Sequence, residues 1–312
     1  MSSPASLAIV FPGQGSQSVG MMKGFADSPV IEQTFREATA IAGVDYWAMA
    51  NEGPAELQNQ TVNTQPLMLV AGVACWRAWR ERGGPMPAYF AGHSLGEYSA
   101  LVAAGALRFE DALPLVRLRA QAMQDAVPEG TGGIAAIVGL DDAKLPAVLA
   151  AAAQGEVVEA ANLNSPGQVV VAGHRSAVER AMAGAKAQGA KLVKMLPMSA
   201  PSHCSLMRPA ADRLRARLEA IEVRRPEVPV IHNRFVEAFD DTVSIRTALV
   251  EQLDHPVRWI ETVQWLSAHG VRRFVECGPG KVLAGLVKRI HREAEAMAIT
   301  DSAALSAALT QG

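Results

Sequence analysis

The stretch AYFAGHSLGEYSALVAAGAL, residues 88–107, carries the feature on which the fold prediction depends. It runs from a short apolar strand pattern through GHSLG, residues 92–96, into an apolar helix pattern. A G-x-S-x-G sequence between a strand and a helix is typical of a nucleophile elbow. The tight turn requires small residues beside the serine, which gives both glycines a physical reason. We therefore predict that Ser94 is a nucleophile at the N-terminus of a helix, where an oxyanion is favoured.

Apolar runs bounded by glycine or proline alternate with helical patterns over most of the chain. This alternation predicts an α/β fold with a largely parallel sheet. The predicted strands of that sheet are residues 7–11, 88–92, 228–232 and 273–277. The predicted helices are residues 65–82, 95–107, 109–126, 205–221, 257–268 and 281–293.

The middle of the chain breaks this alternation. Two helical patterns alternate here with four strand patterns. The first helix is capped by Asp141 and ends near residue 153, and the second covers residues 176–188. The strand patterns lie at residues 134–140, 157–162, 168–172 and 191–196. The resulting order, β-α-β-β-α-β, is ferredoxin-like. We predict a ferredoxin-like small domain over residues 130–197, inserted into a larger domain formed by residues 1–129 and 198–312. A continuous doubly wound topology is the alternative.

Composition excludes several functional classes. Of the 312 residues, 49% are hydrophobic and 19% charged, and the formal net charge of −2 leaves no basic footprint for nucleic acid. The longest apolar stretch, residues 67–76, is too short to span a bilayer, and we expect no signal peptide. Three scattered cysteines, without CxxC or HExxH, predict neither a disulfide framework nor a zinc site. We expect a metal-free cytoplasmic protein that binds neither nucleic acid nor membrane.

A second glycine-rich loop, FPGQGSQSVG at residues 11–20, follows the first predicted strand. It lacks the third glycine of a dinucleotide-binding G-x-G-x-x-G sequence, because Ser18 occupies that position. It also lacks the lysine of a phosphate-binding P-loop. We expect its free backbone amides to face an anion instead. The Gln14 amide would then join that of Leu95 in an oxyanion hole.

The serine needs a base, and the chain has seven histidines. His203 lies at a predicted strand-to-helix junction beside the domain boundary, a position where active sites form. His232 and His255 remain alternatives. His93 adjoins the serine, but neighbouring side chains diverge on such a turn, so we interpret it as a packing or supporting residue.

One cation has an unusual setting. Arg119 has apolar residues at its helical neighbour positions on both sides, which places it on the buried face of its helix. A buried arginine needs an anionic partner. That partner is either an internal carboxylate, Glu97 or Asp125, or the carboxylate of a substrate held in a bidentate contact.

At these residues the sequence resembles a known family. Six stretches are similar, in this order along the chain, to the motifs of malonyl-CoA:acyl carrier protein transacylases. They are FPGQGSQ, TQP at residues 64–66, GHSLGEYSAL, NSPGQVVVAG, PSH and ECGPGKVL. The similarity runs from about residue 7 to the C-terminal region. It implies an α/β-hydrolase-like large domain with a parallel sheet and an inserted ferredoxin-like small domain. It also implies malonyl transfer from malonyl-CoA to the phosphopantetheine thiol of acyl carrier protein in fatty acid synthesis, by a ping-pong acyltransferase without a cofactor.

The resemblance assigns roles to individual residues. Ser94 is expected to be the acylated nucleophile and His203 its base. The amides of Gln14 and Leu95 would form the oxyanion hole, and Arg119 would bind the malonyl carboxylate.

Two glutamines complete the expected site. The backbone carbonyl of Gln252 would orient the histidine in place of a third, acidic residue, and Gln65 in the TQP motif would line the pocket. The sequence APSH at residues 200–203 favours the free-standing fatty acid synthesis form. A malonyl transferase subunit of malonate decarboxylase, a serine thioesterase or esterase, and a binding module without chemistry are the alternatives.

Overall fold

The computed structural model describes residues 7–198 and 200–310. The strands in this part of the chain are β1 (Leu7–Phe11), β2 (Tyr89–Gly92), β3 (Gly132–Val138), β4 (Val158–Ser165), β5 (Gln168–His174), β6 (Leu192–Met195), β7 (Val230–Ile231), β8 (Arg273–Cys277) and β9 (Glu295–Ile299). They form two sheets.

The larger sheet is parallel throughout, with strand order β7-β2-β1-β8-β9. All five residues of the central strand β1 are buried. Its side chains alternate between two apolar clusters: Ile9 and Phe11 belong to one, Ala8 and Val10 to the other. Parallel sheets are covered on both faces, which explains why this strand is a continuous apolar run.

The helices that cover the sheets begin and end as follows. They are α1 (Pro29–Ala42), α2 (Tyr46–Asn51), α3 (Ala55–Gln58), α4 (Thr61–Glu81), α5 (Gly96–Ala103), α6 (Phe109–Asp125), α7 (Leu145–Ala153), α8 (Arg175–Ala187), α9 (Arg208–Glu219), α10 (Thr242–Glu251), α11 (Trp259–Ala268), α12 (Val282–Ile290) and α13 (Ser302–Thr310). Helices α1, α4, α5 and α6 pack together on one face of the parallel sheet, and α11 and α12 cover the other. None of the helices in the described part of the chain has the length and apolar character needed to cross a bilayer.

The second sheet is antiparallel, with strand order β4-β5-β3-β6. Its elements follow one another as β3-α7-β4-β5-α8-β6, and Asp141 caps the short 3-10 helix that leads into α7. Strand β4 also forms two backbone hydrogen bonds with Val257. The amide of Leu163 donates to the oxygen of Val257 at 2.9 Å, and the amide of Val257 donates to the oxygen of Ala161 at 2.9 Å. These bonds attach the antiparallel sheet to the segment that precedes α11.

Most predicted elements are present, with shifted ends. Helix α4 begins four residues before the predicted start, and the helix predicted over 281–293 ends at Ile290. The segment after it forms the edge strand β9, which the sequence analysis missed together with α1, α2, α3, α10 and α13. In β9 only Ile299 is buried, so the apolar alternation that would predict a strand is weak.

Candidate active site

The nucleophile elbow joins the end of β2 to the start of α5. Ser94 lies between them with φ of +52°, in the left-handed region that is strained for a side chain of this kind. The two glycines of the motif permit a very close approach. A Cβ atom on Gly92 would lie 1.9 Å from the carbonyl carbon of Gly96, and one on Gly96 would lie 2.0 Å from the oxygen of Phe11. The predicted reason for these glycines is therefore confirmed.

His203 lies directly against the serine. Its Nε2 is 2.7 Å from Ser94 Oγ, and its Nδ1 is 2.7 Å from the backbone oxygen of Gln252. A carbonyl oxygen can only accept, so Nδ1 carries the proton and the Nε2 lone pair faces the serine hydroxyl. The backbone of His203 is itself strained, with φ of +63°, and its amide donates to the oxygen of Leu253 at 3.0 Å. This arrangement presents the Nε2 lone pair of a neutral imidazole to the serine hydroxyl.

The protonation of His203 follows from its surroundings. The imidazole is buried, and this burial together with the nearby guanidinium of Arg119 lowers the pKa of His203 to about 3. Both causes disfavour the cationic form. The imidazole is therefore neutral near neutral pH and available to accept a proton.

Arg119 reaches the same place from α6 and is almost completely buried. Its guanidinium donates to Gln65 Oε1, to Gln252 Oε1 at 2.9 Å and to Ser94 Oγ at 3.2 Å. The group also lies 5.3 Å from the centre of the Tyr98 ring. The two glutamine side chains fix the orientation of the guanidinium beside Ser94.

The internal ion pair considered for Arg119 does not form. Asp125 instead pairs with Arg213 at 2.8 Å, and Glu97 receives its hydrogen bonds from other residues. No carboxylate of residues 7–198 and 200–310 lies within ion-pair distance of Arg119. The Arg119 charge is thus positioned next to the serine by amides and without a direct anionic partner in that part of the chain.

The loop that contains Gln14 packs onto the elbow. A Cβ atom on Gly13 would lie only 2.5 Å from the oxygen of His93, so a larger residue at this position would push the loop away. Gln14 and Leu95 line one cavity with Ser94. Neither of their backbone amides donates a hydrogen bond to another described residue. Two amides without an acceptor among the described residues therefore belong to residues that line the cavity of Ser94.

The cavity around Ser94 is narrow, about 40 Å³, and adjoins a wider one of about 370 Å³, with which it shares lining residues such as Gln14, His93 and Asn162. The residues that line the narrow part include Gln65, Arg119 and His203. The wider part combines side-chain amides with an apolar wall from α12: Asn162, Asn164, Gln168, Val282, Leu283 and Leu286. A long, neutral substrate arm with amide groups fits a lining of this kind.

The other candidate histidines lie elsewhere. His232 is fully buried, with its Nδ1 2.7 Å from a carboxylate oxygen of Glu97. His255 is partly exposed, with its Nδ1 3.0 Å from a backbone oxygen of α10. The ring of His93 packs 5.5 Å from that of Trp259, which agrees with a supporting role. Within the described residues, none of the three forms a hydrogen bond with the serine hydroxyl.

The sequence analysis did not predict the support that Asn233 and Glu97 give to the elbow, and it named Glu97 only as a possible partner of Arg119. Asn233 accepts the amide hydrogen of Ser94 at 2.7 Å and donates to the oxygen of Gly92 at 2.6 Å. Glu97 is completely buried and accepts the amide hydrogen of Asn233 at 2.9 Å. Both had a signal: Asn233 directly follows a predicted strand of the parallel sheet, and Glu97 is a lone carboxylate in an apolar helix.

Metal ligation has no candidate residues in the part of the chain that the structure describes. There, no group of three or more His, Cys, Asp or Glu side chains is placed to hold a metal ion. Cys75, Cys204 and Cys277 are free and buried, and burial raises the pKa of the Cys204 thiol to about 12. The Cys204 sulfur donates to the oxygen of Pro201 at 3.0 Å, which suits a residue that packs in the interior.

Similarity to known proteins extends over nearly the whole chain. A profile of the acyl transferase domain matches residues 8–306. The malonyl CoA-acyl carrier protein transacylase of Salmonella typhimurium is 55% identical over 305 residues, which cover 97% of this chain and 99% of that protein. The crystal structure of an acyl-carrier-protein S-malonyltransferase from Burkholderia pseudomallei 1710b has a TM-score of 0.96 at 52% identity, covering 98% of this chain and 99% of that one. A malonyl-transacylase in complex with its type II PKS acyl-carrier protein has a TM-score of 0.97 at 51% identity, covering 98% and 100%.

Proposed function

Because the chain belongs to the acyl transferase domain family, and its relatives are malonyl transacylases, we propose that it transfers the malonyl group of malonyl-CoA to the phosphopantetheine thiol of acyl carrier protein. The reaction proceeds through a malonyl ester of Ser94 and supplies fatty acid synthesis. One observation carries the choice of acyl group: Nη2 of Arg119 lies 3.2 Å from Ser94 Oγ. A cation at this distance from the nucleophile suits an acyl group whose carboxylate is one carbon beyond the reacting carbonyl.

In the first half-reaction, Ser94 attacks the thioester carbonyl of malonyl-CoA. The hydroxyl proton moves to Nε2 of His203 as the new C–O bond forms, while Nδ1 keeps its own proton and donates it in a hydrogen bond to the backbone oxygen of Gln252. The tetrahedral intermediate then collapses with cleavage of the C–S bond. The proton on Nε2 passes to the departing sulfur, so that coenzyme A leaves as a thiol and the imidazole is neutral again.

The amides of Gln14 and Leu95 are the proposed oxyanion donors. Support comes from their place at the cavity of the nucleophile and from the lack of an acceptor for either among the described residues. Donors that are already oriented in a water-poor cavity stabilise the developing charge without reorganisation. Each contributes about 3 kcal/mol to such a transition state.

The second half-reaction reverses the first with a different thiol. The phosphopantetheine thiol of acyl carrier protein gives its proton to His203 and its sulfur attacks the ester carbonyl. A C–S bond forms, the bond to Ser94 Oγ breaks, and the proton returns to Oγ. The wider cavity, with its amide side chains and apolar wall, suits a pantetheine arm, which both thiols carry. The coenzyme A thioester is a substrate, and the proposal includes no cofactor.

Arg119 would hold the malonyl carboxylate by a charge-assisted contact. Gln65 and Gln252 support this role because both accept hydrogen bonds from the guanidinium and keep it turned toward the serine. A neutral acyl group such as acetyl leaves that buried charge without a partner. The arrangement therefore favours malonyl over acetyl.

The proposed architecture is an α/β-hydrolase-like large domain over residues 1–129 and 198–312 and a ferredoxin-like small domain over 130–197. The parallel sheet supports the first assignment. The element order and strand order of the antiparallel sheet support the second. Three free cysteines suit the reducing cytoplasm, which is the proposed location.

Intact mass spectrometry tests the proposal. The protein is mixed with malonyl-CoA, the adduct is mapped, and phosphopantetheinylated acyl carrier protein is then added. We expect a malonyl adduct on Ser94 that moves to the carrier, and no adduct on the Ser94→Ala variant. An adduct that is lost to water without transfer would indicate a hydrolase. An adduct that persists in Ser94→Ala would exclude the proposed nucleophile.

A further inference from the structure

The catalytic residues are connected by a carboxylate that does not touch the substrate cavity. Glu97, on α5, has no exposed surface, and both of its carboxylate oxygens are engaged. Its Oε1 lies 2.7 Å from Nδ1 of His232. Its Oε2 accepts from the amide of Asn233 at 2.9 Å and from Nε2 of Gln252 at 2.8 Å. A buried carboxylate with three donors is costly to place unless each contact is well formed.

Two of these donors hold the strained peptide of the nucleophile. Asn233 accepts the amide hydrogen of Ser94 at 2.7 Å, and Nε2 of Gln252 donates to the Ser94 oxygen at 3.0 Å. The backbone amide of Glu97 donates to the same oxygen at 3.1 Å. Both polar groups of the serine peptide are thus fixed by Glu97 and by residues that it holds. Such support is what keeps a residue in a sparsely populated backbone conformation.

Gln252 extends the same support to the two other functional groups. Its backbone oxygen orients the imidazole of His203 at 2.7 Å, and its Oε1 accepts from the guanidinium of Arg119 at 2.9 Å. The side-chain amide therefore lies between the cation and the carboxylate of Glu97, with its oxygen toward one and its nitrogen toward the other. This bridge leaves Arg119 close to the serine and separate from Glu97.

We propose that Glu97 is a positioning residue that sets the nucleophile, the base and the carboxylate-binding cation in one common geometry. The inference rests on the proposed function, because it takes Ser94, His203 and Arg119 in the roles given above. Glu97 acts through Asn233 and Gln252 and makes no contact with the substrate.

Two substitutions separate the geometry of Glu97 from its charge. Glu97→Gln keeps the length of the side chain: its amide oxygen can accept from Asn233 and Gln252, and its NH2 group can donate to Nδ1 of His232. That contact requires the His232 proton to move to Nε2, which has no hydrogen-bond partner within the described residues. Glu97→Asp keeps the charge but shortens the side chain by one methylene, so it cannot reach all three donors.

The readouts are the single-turnover rates of serine acylation with malonyl-CoA and with acetyl-CoA. We expect Glu97→Asp to slow malonyl acylation on the order of 100-fold, the effect of displacing reacting groups by about 1 Å. We also expect its preference for malonyl over acetyl to fall toward that of Arg119→Ala, while Glu97→Gln stays close to the parent in both respects. A loss of stability alone would leave that preference unchanged.

The matched controls are Glu276→Asp and Glu276→Gln. Glu276 is also completely buried, and its Oε2 accepts the amide hydrogen of Ala284 at 2.8 Å, outside the network around the serine. We expect both controls to keep the parent's preference for malonyl. Thermal unfolding and near-ultraviolet circular dichroism establish that each variant is folded.

The proposal would be overturned if Glu97→Asp kept the parent's acylation rate and its preference for malonyl over acetyl. It would also be overturned if Glu97→Gln acylated more slowly than Glu97→Asp, because that result would indicate an effect of charge. If Glu97→Asp does not fold, Gln252→Met breaks the same link while it keeps the backbone oxygen for His203. An unchanged acyl preference in Gln252→Met would then overturn it. An Arg119→Ala variant that kept the preference for malonyl over acetyl would instead refute the binding of the malonyl carboxylate by Arg119, which is part of the proposed function.

Discussion

The backbone oxygen of Gln252 lies 2.7 Å from Nδ1 of His203, so a neutral carbonyl orients the proposed base where many serine enzymes use a carboxylate. A carbonyl fixes the tautomer as well as an acid would, but it stabilises the imidazolium less because it carries no full charge. With the ring buried and Arg119 nearby, the neutral form dominates, as the lowered pKa of His203 indicates.

The pH dependence of acylation follows from this setting. The pKa of His203 is lowered to about 3, so the base is lost only when the pH falls far below the ordinary histidine value of about 6.5. We expect the single-turnover acylation rate to stay flat as the pH is lowered from about 8 to about 5.

In Arg119→Ala, removal of the cation raises the pKa of His203. We expect the fall of the acylation rate at acidic pH, measured with acetyl-CoA, to move to higher pH. Arg213→Ala, which removes an exposed arginine, is the control. A parent midpoint near 6.5 would contradict the assignment.

Arg119→Ala tests whether Arg119 binds the carboxylate of the malonyl group. The variant removes a charge-assisted contact of about 1.5–3 kcal/mol, so we expect malonyl acylation to slow about 10- to 100-fold. Acetyl acylation is expected to be unchanged or faster, because the unpaired buried cation is gone. Rates for both thioesters are compared with those of Arg117→Ala, on the same helix, whose guanidinium donates to the oxygen of Ala42 at 2.9 Å. Equal losses for both acyl groups in Arg119→Ala would argue against such binding.

Gly96→Ala tests the steric basis of the elbow. The new Cβ would lie 2.0 Å from the oxygen of Phe11, a backbone atom of β1 that cannot move alone. We expect the free energy of unfolding, measured by urea denaturation, to fall by about 3 kcal/mol or more, together with loss of acylation. Gly285→Ala in α12 is the matched control, since no atom beyond the backbone of its own helix lies within 4 Å of the position that its new methyl group would take. That change is expected to raise stability by about 1 kcal/mol. Similar effects of the two substitutions would refute the explanation.

Glu276 predicts a pH-dependent stability. Burial raises the pKa of its carboxyl to about 7, above its ordinary value of 4.5, so the folded state binds the proton more tightly than the unfolded state. The contribution of Glu276 to the free energy of unfolding therefore falls by about 3 kcal/mol in total as the pH rises from about 4.5 to about 7. We expect Glu276→Gln to unfold at higher urea concentration than the parent at pH 8, with a smaller difference at pH 5. An unchanged pH dependence in the variant would contradict this prediction.

Parts of the fold whose signal is local were predictable. The bounds of β1 and β8 match the predicted strands, because both are short, continuously buried runs bounded by turn residues. The edge strand β9 and the C-terminal helix α13 were missed, since each buries only one or two residues and has little apolar periodicity. The end of α12 was placed too late because the residues after Ile290 include good helix formers.

The candidate site divides in the same way. Ser94 and its two glycines lie within one five-residue turn, where a Cβ atom on Gly92 would meet Gly96 itself, so their pattern is readable without the fold even though Gly96 also meets Phe11. His203 meets Ser94 across 109 residues, and Glu97 meets Gln252 across 155. Local pattern left three histidines open as the base, and it offered two carboxylates as partners of Arg119 that do not pair with it.

Local spacing therefore predicts the tight turn at the serine and the apolar faces of strands and helices, since these patterns repeat over a few residues of the chain. Which residues meet depends on strand order: β2, β1 and β8 lie side by side although they are far apart in the chain. Their loops converge at one end of the sheet, where the distances are set by packing between remote elements. The connection through Glu97, Asn233 and Gln252 is of this second kind, because a hydrogen bond between buried side chains forms only after the fold has brought them together.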